Sequence, residues 1–199
     1  MRALVFVCLL GANLLVTSCA DISKQPPSAA SWNQRVEQLS ALTRWSASGK
    51  LAIRTEVQSQ SASLDWQQDG HSTHILLTGP LGLGATAIDS DRNTLQVSRD
   101  GSTKIFDISS AVASEATIGW DLPLQQLPFW IRGLPSPETP IEGQVFHQNL
   151  LRQFQQEGWT ITCENYSLFD HFTLPTRVTV ERSNTRARII IRNWSDFSS

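Results

Sequence analysis

Apolar and polar residues alternate with a period of two along most of this chain. Leu51 and Ile53 alternate with polar or small neighbours, and Leu64 and Trp66 repeat the pattern a few residues later. Near the C-terminus, residues 186–192 place alanine and isoleucine opposite a face that is mostly arginine. A period of two puts successive side chains on opposite faces of a β-strand. Each of these segments is therefore predicted to be a strand with one buried face.

Short turn sequences separate these segments. They are Asp69-Gly70, the glycine-rich stretch 79–84, Asp91-Arg92-Asn93, Asp100-Gly101, Glu157-Gly158 and Ser183-Asn184. Strands joined by short turns pair in an antiparallel way. We therefore expect a mainly β fold with some helix (α+β), in which a strongly curved antiparallel sheet or incomplete barrel has helices covering a hydrophobic cavity.

Two stretches depart from the two-residue pattern. Ser31 can cap a helix with Gln34 as its partner in a capping box, and the pattern predicts a helix from Trp32 to Trp45. The apolar positions at helical spacing are Trp32, Val36, Leu39 and Leu42. A second helical segment is predicted within residues 109–133, where two prolines keep it short and irregular.

The N-terminus has the features of a secretory signal. Arg2 precedes an apolar run of about 14 residues, which is too short to span a bilayer as a helix. The sequence Val-Thr-Ser-Cys ending at Cys19 resembles the lipobox of bacterial lipoproteins. This resemblance implies cleavage before Cys19, diacylglycerol on its sulfur and an acyl group on its amine. The alternative is an ordinary signal peptide followed by a chance cysteine.

This interpretation divides the chain into three parts. Residues 1–18 are a signal peptide, residues 19–30 are a lipidated and flexible tether, and residues 31–199 are a single domain. Lipoproteins retained in the inner membrane typically have Asp after the lipidated cysteine, whereas this chain has Ala20. The expected location is therefore the outer membrane, with the lipid-anchored domain facing the periplasm.

Several function classes find no support in the sequence. The net charge is −2 and basic residues are not clustered, which argues against nucleic acid as a partner. Residues 82–87 fit a dinucleotide-binding fingerprint, but the turn residues 89–93 leave no room for the helix that the fingerprint needs. No nucleophile elbow, paired carboxylates or spaced metal ligands are evident, so neither an enzyme nor a metal site is expected. Cys163 is interpreted as a small core residue.

The glycine-rich stretch 79–84 contains two leucines, Leu81 and Leu83, with no evident place to be buried. One interpretation is that they pack back against the sheet as a plug. The other is that they protrude, and burying a protruding leucine in lipid would gain about 1.5–3 kcal/mol. That gain would bias an encounter with a membrane without anchoring the protein.

Several motifs in sequence order resemble the LolB family of outer-membrane lipoprotein receptors. The matching segments are the 32–45 helix, Gly49-Lys50-Leu51-Ala52-Ile53, Leu64-Asp65-Trp66-Gln67-Gln68, the 79–84 loop, Leu127 to Pro135, Gly158-Trp159, Leu174-Pro175 and Ile191-Arg192-Asn193-Trp194. The resemblance implies an incomplete barrel of about eleven strands around a hydrophobic cavity. It further implies a monomeric, non-enzymatic protein that takes acylated lipoproteins from the periplasmic carrier LolA and inserts them into the outer membrane.

The resemblance also assigns expected roles to residues. Leu81 matches a loop leucine that the family needs for membrane insertion, and Leu83 is a second candidate. Cys19 carries the diacylglycerol and acyl groups, and no other cofactor is implied. Candidate cavity-lining residues are Leu51, Ile53, Leu64, Trp66, Trp130 and Ile131. Two alternatives remain open: an envelope assembly lipoprotein that binds proteins on its sheet and has a filled interior, and a lipid-processing enzyme with a nucleophile and base in the pocket.

Overall fold

The structure is a computed structural model that describes residues 31–82, 84–107 and 122–199. Most of the described chain forms one antiparallel sheet of eleven strands. The strands are β1 (Arg44–Arg54), β2 (Ser59–Asp69), β3 (Ser72–Thr78), β4 (Ala85–Ser90), β5 (Thr94–Arg99), β6 (Ser102–Asp107), β7 (Glu142–His147), β8 (Leu150–Gln156), β9 (Trp159–Phe169), β10 (Phe172–Arg182) and β11 (Thr185–Ser198).

The strand order is β6-β5-β4-β3-β2-β1-β11-β10-β9-β8-β7. Within the described sheet, strands that are consecutive in the chain pair with each other, except β6 and β7, which do not pair. Strand β1 pairs with β2 and also with the last strand β11. Strands β6 and β7 are therefore the outermost strands of the described sheet. The prediction of an incomplete antiparallel barrel of about eleven strands is confirmed.

Alternating burial confirms the pattern from which the strands were predicted. In β1 the side chains of Leu51 and Ile53 are buried, while Lys50, Ala52 and Arg54 are exposed. The same alternation continues along β2 and β11. Burying one face of most of the strands gives a single apolar core, and the hydrophobic effect of that burial favours the curved sheet.

Helix α1 (Trp32–Ser40) begins where predicted. The Ser31 side chain accepts a hydrogen bond from the Gln34 backbone N–H, and the Gln34 side chain accepts one from the Ser31 N–H, so the capping box is formed. The predicted end at Trp45 is wrong, because β1 already starts at Arg44. Pairing of this segment with β2 and β11 satisfies its backbone groups, and Trp45 is buried as part of the strand alternation.

The second helical segment is short, as predicted. Helix α2 (Leu127–Trp130) is followed by Gly133, whose φ of 75° ends the helical turns. The part of the predicted segment at residues 109–121 lies outside the described residues. None of the helices within the described ranges is long and apolar enough to cross a membrane.

The antiparallel order puts several connections at one end of the sheet, which we call the loop end. The connections there are residues 55–58, 79–84, 100–101, 157–158 and 183–184. The turns that include Gly70, Asn149 and Asp170 lie at the opposite end. The glycine-rich loop is therefore at the same end of the sheet as the β1–β2 and β10–β11 turns.

Candidate functional site

An apolar cavity lies between the inner face of the sheet and the segment that leads into α2. Its volume is about 30 Å³. The sheet contributes Leu51, Leu64, Trp66, Ile75, Leu77, Ile88 and Ile189, and Leu122, Leu124 and Leu127 cover them. A volume of this size would hold about one or two water molecules. The interior is therefore nearly closed in this conformation, and the 122–127 segment forms one wall of it.

A larger cavity of about 530 Å³ adjoins the apolar one at the loop end, and we call it the vestibule. Leu51 and Leu77 line both cavities, so the vestibule lies between the interior and the glycine-rich loop. Its polar side includes Arg99, whose Nε donates a hydrogen bond to Thr86 Oγ1 at 2.8 Å. The vestibule thus changes from apolar walls at its inner side to polar walls towards solvent.

Four of the six predicted cavity residues lie together. Leu51, Leu64 and Trp66 line the apolar cavity, and Ile53 lines the vestibule. Of these four side chains, only that of Trp66 carries a polar atom, and its indole N–H is satisfied by Gln68 Oε1 at 3.1 Å. This part of the sheet therefore presents a continuous apolar surface with its polar groups paired.

Trp130 and Ile131 are fully buried but line neither of these cavities. The indole N–H of Trp130 donates to Gln156 Oε1 at 2.8 Å, and its ring centroid lies 6.5 Å from that of Trp159. Gln156 also donates to the carbonyl oxygens of Ser136 and Thr139 at 2.8 and 2.7 Å. In this conformation Trp130 and Ile131 pack in the α2 region. Their contact with a ligand stays a prediction.

Leu81 protrudes from the loop end with 96% of its surface exposed. The alternative in which this leucine packs back as a plug does not describe this structure. Leu83, the second loop candidate, and Cys19, the expected lipidation site, lie outside the described residues. A large apolar side chain at this exposure has no packing role within the described chain.

The backbone holds Leu81 in a left-handed conformation, with φ of 60° and ψ of 19°. The N–H of Gly79 donates to the carbonyl of Gly84 at 3.0 Å, and the N–H of Gly82 donates to the carbonyl of Gly79 at 3.2 Å. These bonds close the loop. For an L-residue the left-handed conformation costs about 1–2 kcal/mol relative to the right-handed one. The loop therefore displays a leucine where glycine would be less strained.

Two buried arginines were not predicted from the sequence. The Arg35 guanidinium donates from Nη1 to the carbonyl of Thr173 and from Nη2 to the carbonyl of Arg132 at 3.1 Å. Its Cζ lies 5.1 Å from the centroid of the Tyr166 ring, and burial lowers its pKa. A signal was present in the sequence, because Arg35 precedes Leu39 and Leu42 by four and seven residues and so shares their buried face.

The second buried arginine, Arg132, connects α1 to α2. Its Nη1 donates to the carbonyl of Leu39 at 2.6 Å, and its Nε donates to the carbonyl of Pro128 at 2.9 Å. Burial lowers its pKa to about 10. Its Cζ lies 5.7 Å from the Trp45 ring centroid. The two arginines thus fix the helices to each other and to β10 through carbonyl groups.

Other chemistry is not evident in the described ranges. They contain no group of three or more histidine, cysteine or acidic residues that could hold a metal ion. Cys163 is fully buried, as predicted for a core residue, and desolvation raises the pKa of its thiol to about 12. A thiol with this pKa is a poor nucleophile at neutral pH.

The chain is similar to known proteins over nearly its whole length. The model of the family described as outer membrane lipoprotein LolB matches residues 43–194. An outer-membrane lipoprotein LolB of Cellvibrio japonicus is 34% identical over 198 residues, which cover 97% of each chain. Another, of Chromohalobacter salexigens, is 30% identical over 187 residues, covering 92% of this chain and 87% of the relative.

A solved structure supports the similarity in fold. It is an outer membrane lipoprotein-sorting protein domain of Vibrio parahaemolyticus, with a TM-score of 0.56 and 10% sequence identity. The matched region covers 84% of this chain and 89% of the other. At this identity the match concerns the architecture of the curved sheet alone.

Proposed function

Because this chain belongs to the LolB family of outer membrane lipoproteins, we propose that it receives lipoproteins from the carrier LolA and inserts them into the outer membrane. The acyl chains are held in the apolar interior, and the domain is anchored at Cys19. No enzymatic step is required. The transfer is driven by tighter binding of the acyl chains in the receptor than in the carrier.

The arrangement of the two cavities supports acyl binding. The inner cavity has only apolar side chains around it, and the vestibule joins it to the loop end. Because the inner cavity is nearly closed, loading requires the wall formed by residues 122–127 to move away from the sheet. A tenfold preference over the carrier corresponds to about 1.4 kcal/mol, or about two buried methylene groups.

The exposed and strained Leu81 is the single observation that best supports insertion. It is 96% exposed and occupies a conformation that favours glycine. Its burial in the membrane would gain about 1.5–3 kcal/mol. This gain would bring the mouth of the vestibule to the bilayer surface without fixing it there, so the acyl chains could leave for the lipid phase.

The test compares Leu81→Gly and Leu81→Glu. Glycine relieves the left-handed strain, so we expect Leu81→Gly to be at least as stable as the parent protein. Both variants should accept a lipoprotein from the carrier at the parental rate and fail to incorporate it into membranes. The assay follows a labelled lipoprotein from carrier to receptor and then into outer-membrane vesicles.

Leu168→Glu is the matched control for this test. Leu168 is also an exposed leucine, at 51%, but it lies on β9 near the opposite end of the sheet. It should not affect either step. Normal incorporation by Leu81→Gly, or an equal defect in Leu168→Glu, would overturn the insertion role of the loop.

The anchor has a separate test. Mass spectrometry of the mature protein from its native membrane should find diacylglycerol and an acyl group on Cys19. An N-terminus at Cys19 without lipid would remove the basis for membrane anchoring.

The small volume of the inner cavity favours a second candidate function, an envelope assembly lipoprotein that binds partners on its sheet. The two functions differ in ligand binding. A fluorescent fatty acid should bind the receptor with an emission shift that Trp66→Glu abolishes, provided that circular dichroism shows the variant to be folded. Absence of binding by the parent protein would favour the assembly function.

A further inference from the structure

The outer face of β1 and β11 carries a concentration of positive charge. Six cationic side chains are exposed on these two adjacent strands, and one of them, Arg44, pairs with Asp69. We call the surface formed by the other five the basic face: Lys50, Arg54, Arg186, Arg188 and Arg192. The net charge of the whole chain is −2. The charge distribution is therefore strongly asymmetric, and this face differs in sign from the protein as a whole.

An exposed isoleucine lies at the centre of the basic face. Ile190 is 39% exposed, is paired in register with Lys50 on one side, and is paired with Arg177 of β10 on the other. Arg188 and Arg192 flank it on its own strand and on the same face. An apolar side chain surrounded by long cations is an arrangement suited to the interface of an anionic membrane.

The local acidic residues neutralise only part of this charge. Glu181 pairs with Arg186 at 3.0 Å, and Glu164 lies 4.0 Å from Arg177. On the β2 side, Asp65 is opposite Ser48 and diagonal to Lys50. Over the residues that the structure describes, Lys50, Arg54 and Arg188 have no acidic group within ion-pair distance.

The placement of these charges disfavours a role in stability. Arg54 lies directly opposite Arg186 in the β1–β11 register. Like charges at directly opposed positions destabilise a sheet. A sequence selected for stability alone would place an acidic or neutral residue at one of the two positions. The basic face is therefore better explained by a partner that carries negative charge.

We propose that the basic face docks on the headgroups of anionic phospholipids, with Ile190 entering the interface. The Arg54–Arg186 end of the face lies at the loop end, next to the turns 55–58 and 183–184. The loop that displays Leu81 is at this same end. The face and the loop thus reach the same end of the sheet. The proposal extends the proposed function by orienting the domain on the membrane that receives the acyl chains.

The expected effect is large enough to measure. A cation near an anionic membrane surface changes the partition by about fivefold. Removing Lys50 and Arg188 should lower the partition onto anionic vesicles about 25-fold. The interaction should also weaken as salt rises, because screening shortens the range of the surface potential.

The experiment uses the mature chain with Cys19→Ala, which removes the covalent anchor. Flotation is measured with vesicles of phosphatidylcholine alone and with vesicles that also contain phosphatidylglycerol. The test variant is Lys50→Gln with Arg188→Gln. The matched control is Lys104→Gln with Arg92→Gln, which removes the same two residue types from β6 and from the β4–β5 turn. Urea unfolding checks that both variants are folded.

The expected result is loss of binding to phosphatidylglycerol vesicles in the test variant only, with weak binding to phosphatidylcholine in all proteins. Equal losses in test and control variants would show that net charge alone matters and would overturn the proposal. Parental vesicle binding by the test variant, with slower acceptance from the carrier, would assign the face to an acidic protein surface instead. Because vesicle binding involves no lipoprotein, failure of the proposed transfer function would leave this assay unchanged.

Discussion

Replacing Arg132 by methionine tests whether carbonyl contacts outweigh the cost of burying a charge. Arg132 is 5% exposed, and its guanidinium makes two well-formed hydrogen bonds to carbonyl oxygens, at 2.6 and 2.9 Å. A third contact, to Leu42, is long at 3.4 Å and adds little. Hydrogen bonds that involve a charged group contribute about 1.5–3 kcal/mol each. The contacts together are therefore worth about 3–6 kcal/mol.

The lowered pKa of Arg132 shows the opposing cost, which is the desolvation of its charged guanidinium. Burial lowers the pKa of Arg132 from its usual range to about 10, which corresponds to an electrostatic penalty of about 3 kcal/mol. Methionine removes this penalty and fills a similar volume. However, it leaves the carbonyls of Leu39 and Pro128 without this donor, and an unsatisfied buried carbonyl costs about 1–3 kcal/mol. Taken together, these terms leave an expected loss of about 1–6 kcal/mol of unfolding free energy for Arg132→Met.

The assay is urea denaturation followed by tryptophan fluorescence, since Trp45 lies under the guanidinium. Arg132→Lys keeps the positive charge but lacks the planar guanidinium group, so it should lose part of the unfolding free energy. Arg92→Met, at an exposed turn, is the control and should change the unfolding free energy by less than about 0.5 kcal/mol. A midpoint for Arg132→Met equal to or above that of the parent would refute the reasoning. It would mean that desolvation dominates, as it does for some buried ion pairs.

Other predictions concern buried positions of the sheet. Gly49→Ala should lower the melting temperature sharply, because a Cβ at Gly49 would lie 1.9 Å from the Ile190 carbonyl oxygen, whereas Gly70→Ala, which has open space around its Cα, should be milder. Cys163 should react with iodoacetamide only as fast as the protein unfolds. Because burial raises the pKa of the Cys163 thiol from 9.0 to about 12, its contribution to stability is complete below pH 9.0 and is lost as pH rises towards 12. Over that range the parent should lose about 1.4 kcal/mol per pH unit more than Cys163→Ala, measured by urea unfolding in buffers of increasing pH. Parallel pH profiles would contradict this.

The strands were predictable because burial of one face makes apolar and polar residues alternate along the sequence. Strand β7 shows the limit of this argument. All of its residues are exposed, and its register with β8 is irregular, so no alternation marks it. The turn that follows uses Gln148 and Asn149 at positive φ instead of glycine. Edge strands that bury neither face carry little sequence signal.

The end of α1 was mispredicted for a related reason. Leu39, Leu42 and Trp45 satisfy a helical spacing, while Trp45 and Ala47 satisfy a strand spacing. Local periodicity cannot decide between the two, and pairing with β2 and β11, distant in sequence, favours the strand.

The candidate site was predictable only in part. Apolar alternation pointed to Leu51, Leu64 and Trp66, which line the interior, whereas Trp130 and Ile131 of the α2 region pack in the core instead. The protruding leucine was suggested by its glycine-rich loop. The buried arginines depend on carbonyls distant in sequence, such as that of Thr173 for Arg35, and local spacing does not reveal such partners. The expectation that basic residues are not clustered is wrong on the folded surface, because the β1–β11 register brings Lys50 and Arg54 beside Arg186 and Arg188.

The open sheet has a mechanical consequence. In a closed barrel the diameter is fixed by the number of strands and their stagger. Here β6 and β7 are the outermost strands of the described sheet, and ten strand pairs lie between them. A small change in twist at each pair would add up to a wider radius of curvature with every ladder hydrogen bond kept. A sheet widened in this way would tend to return to its original curvature. That tendency would favour release of a bulky ligand once the mouth of the vestibule contacts the membrane.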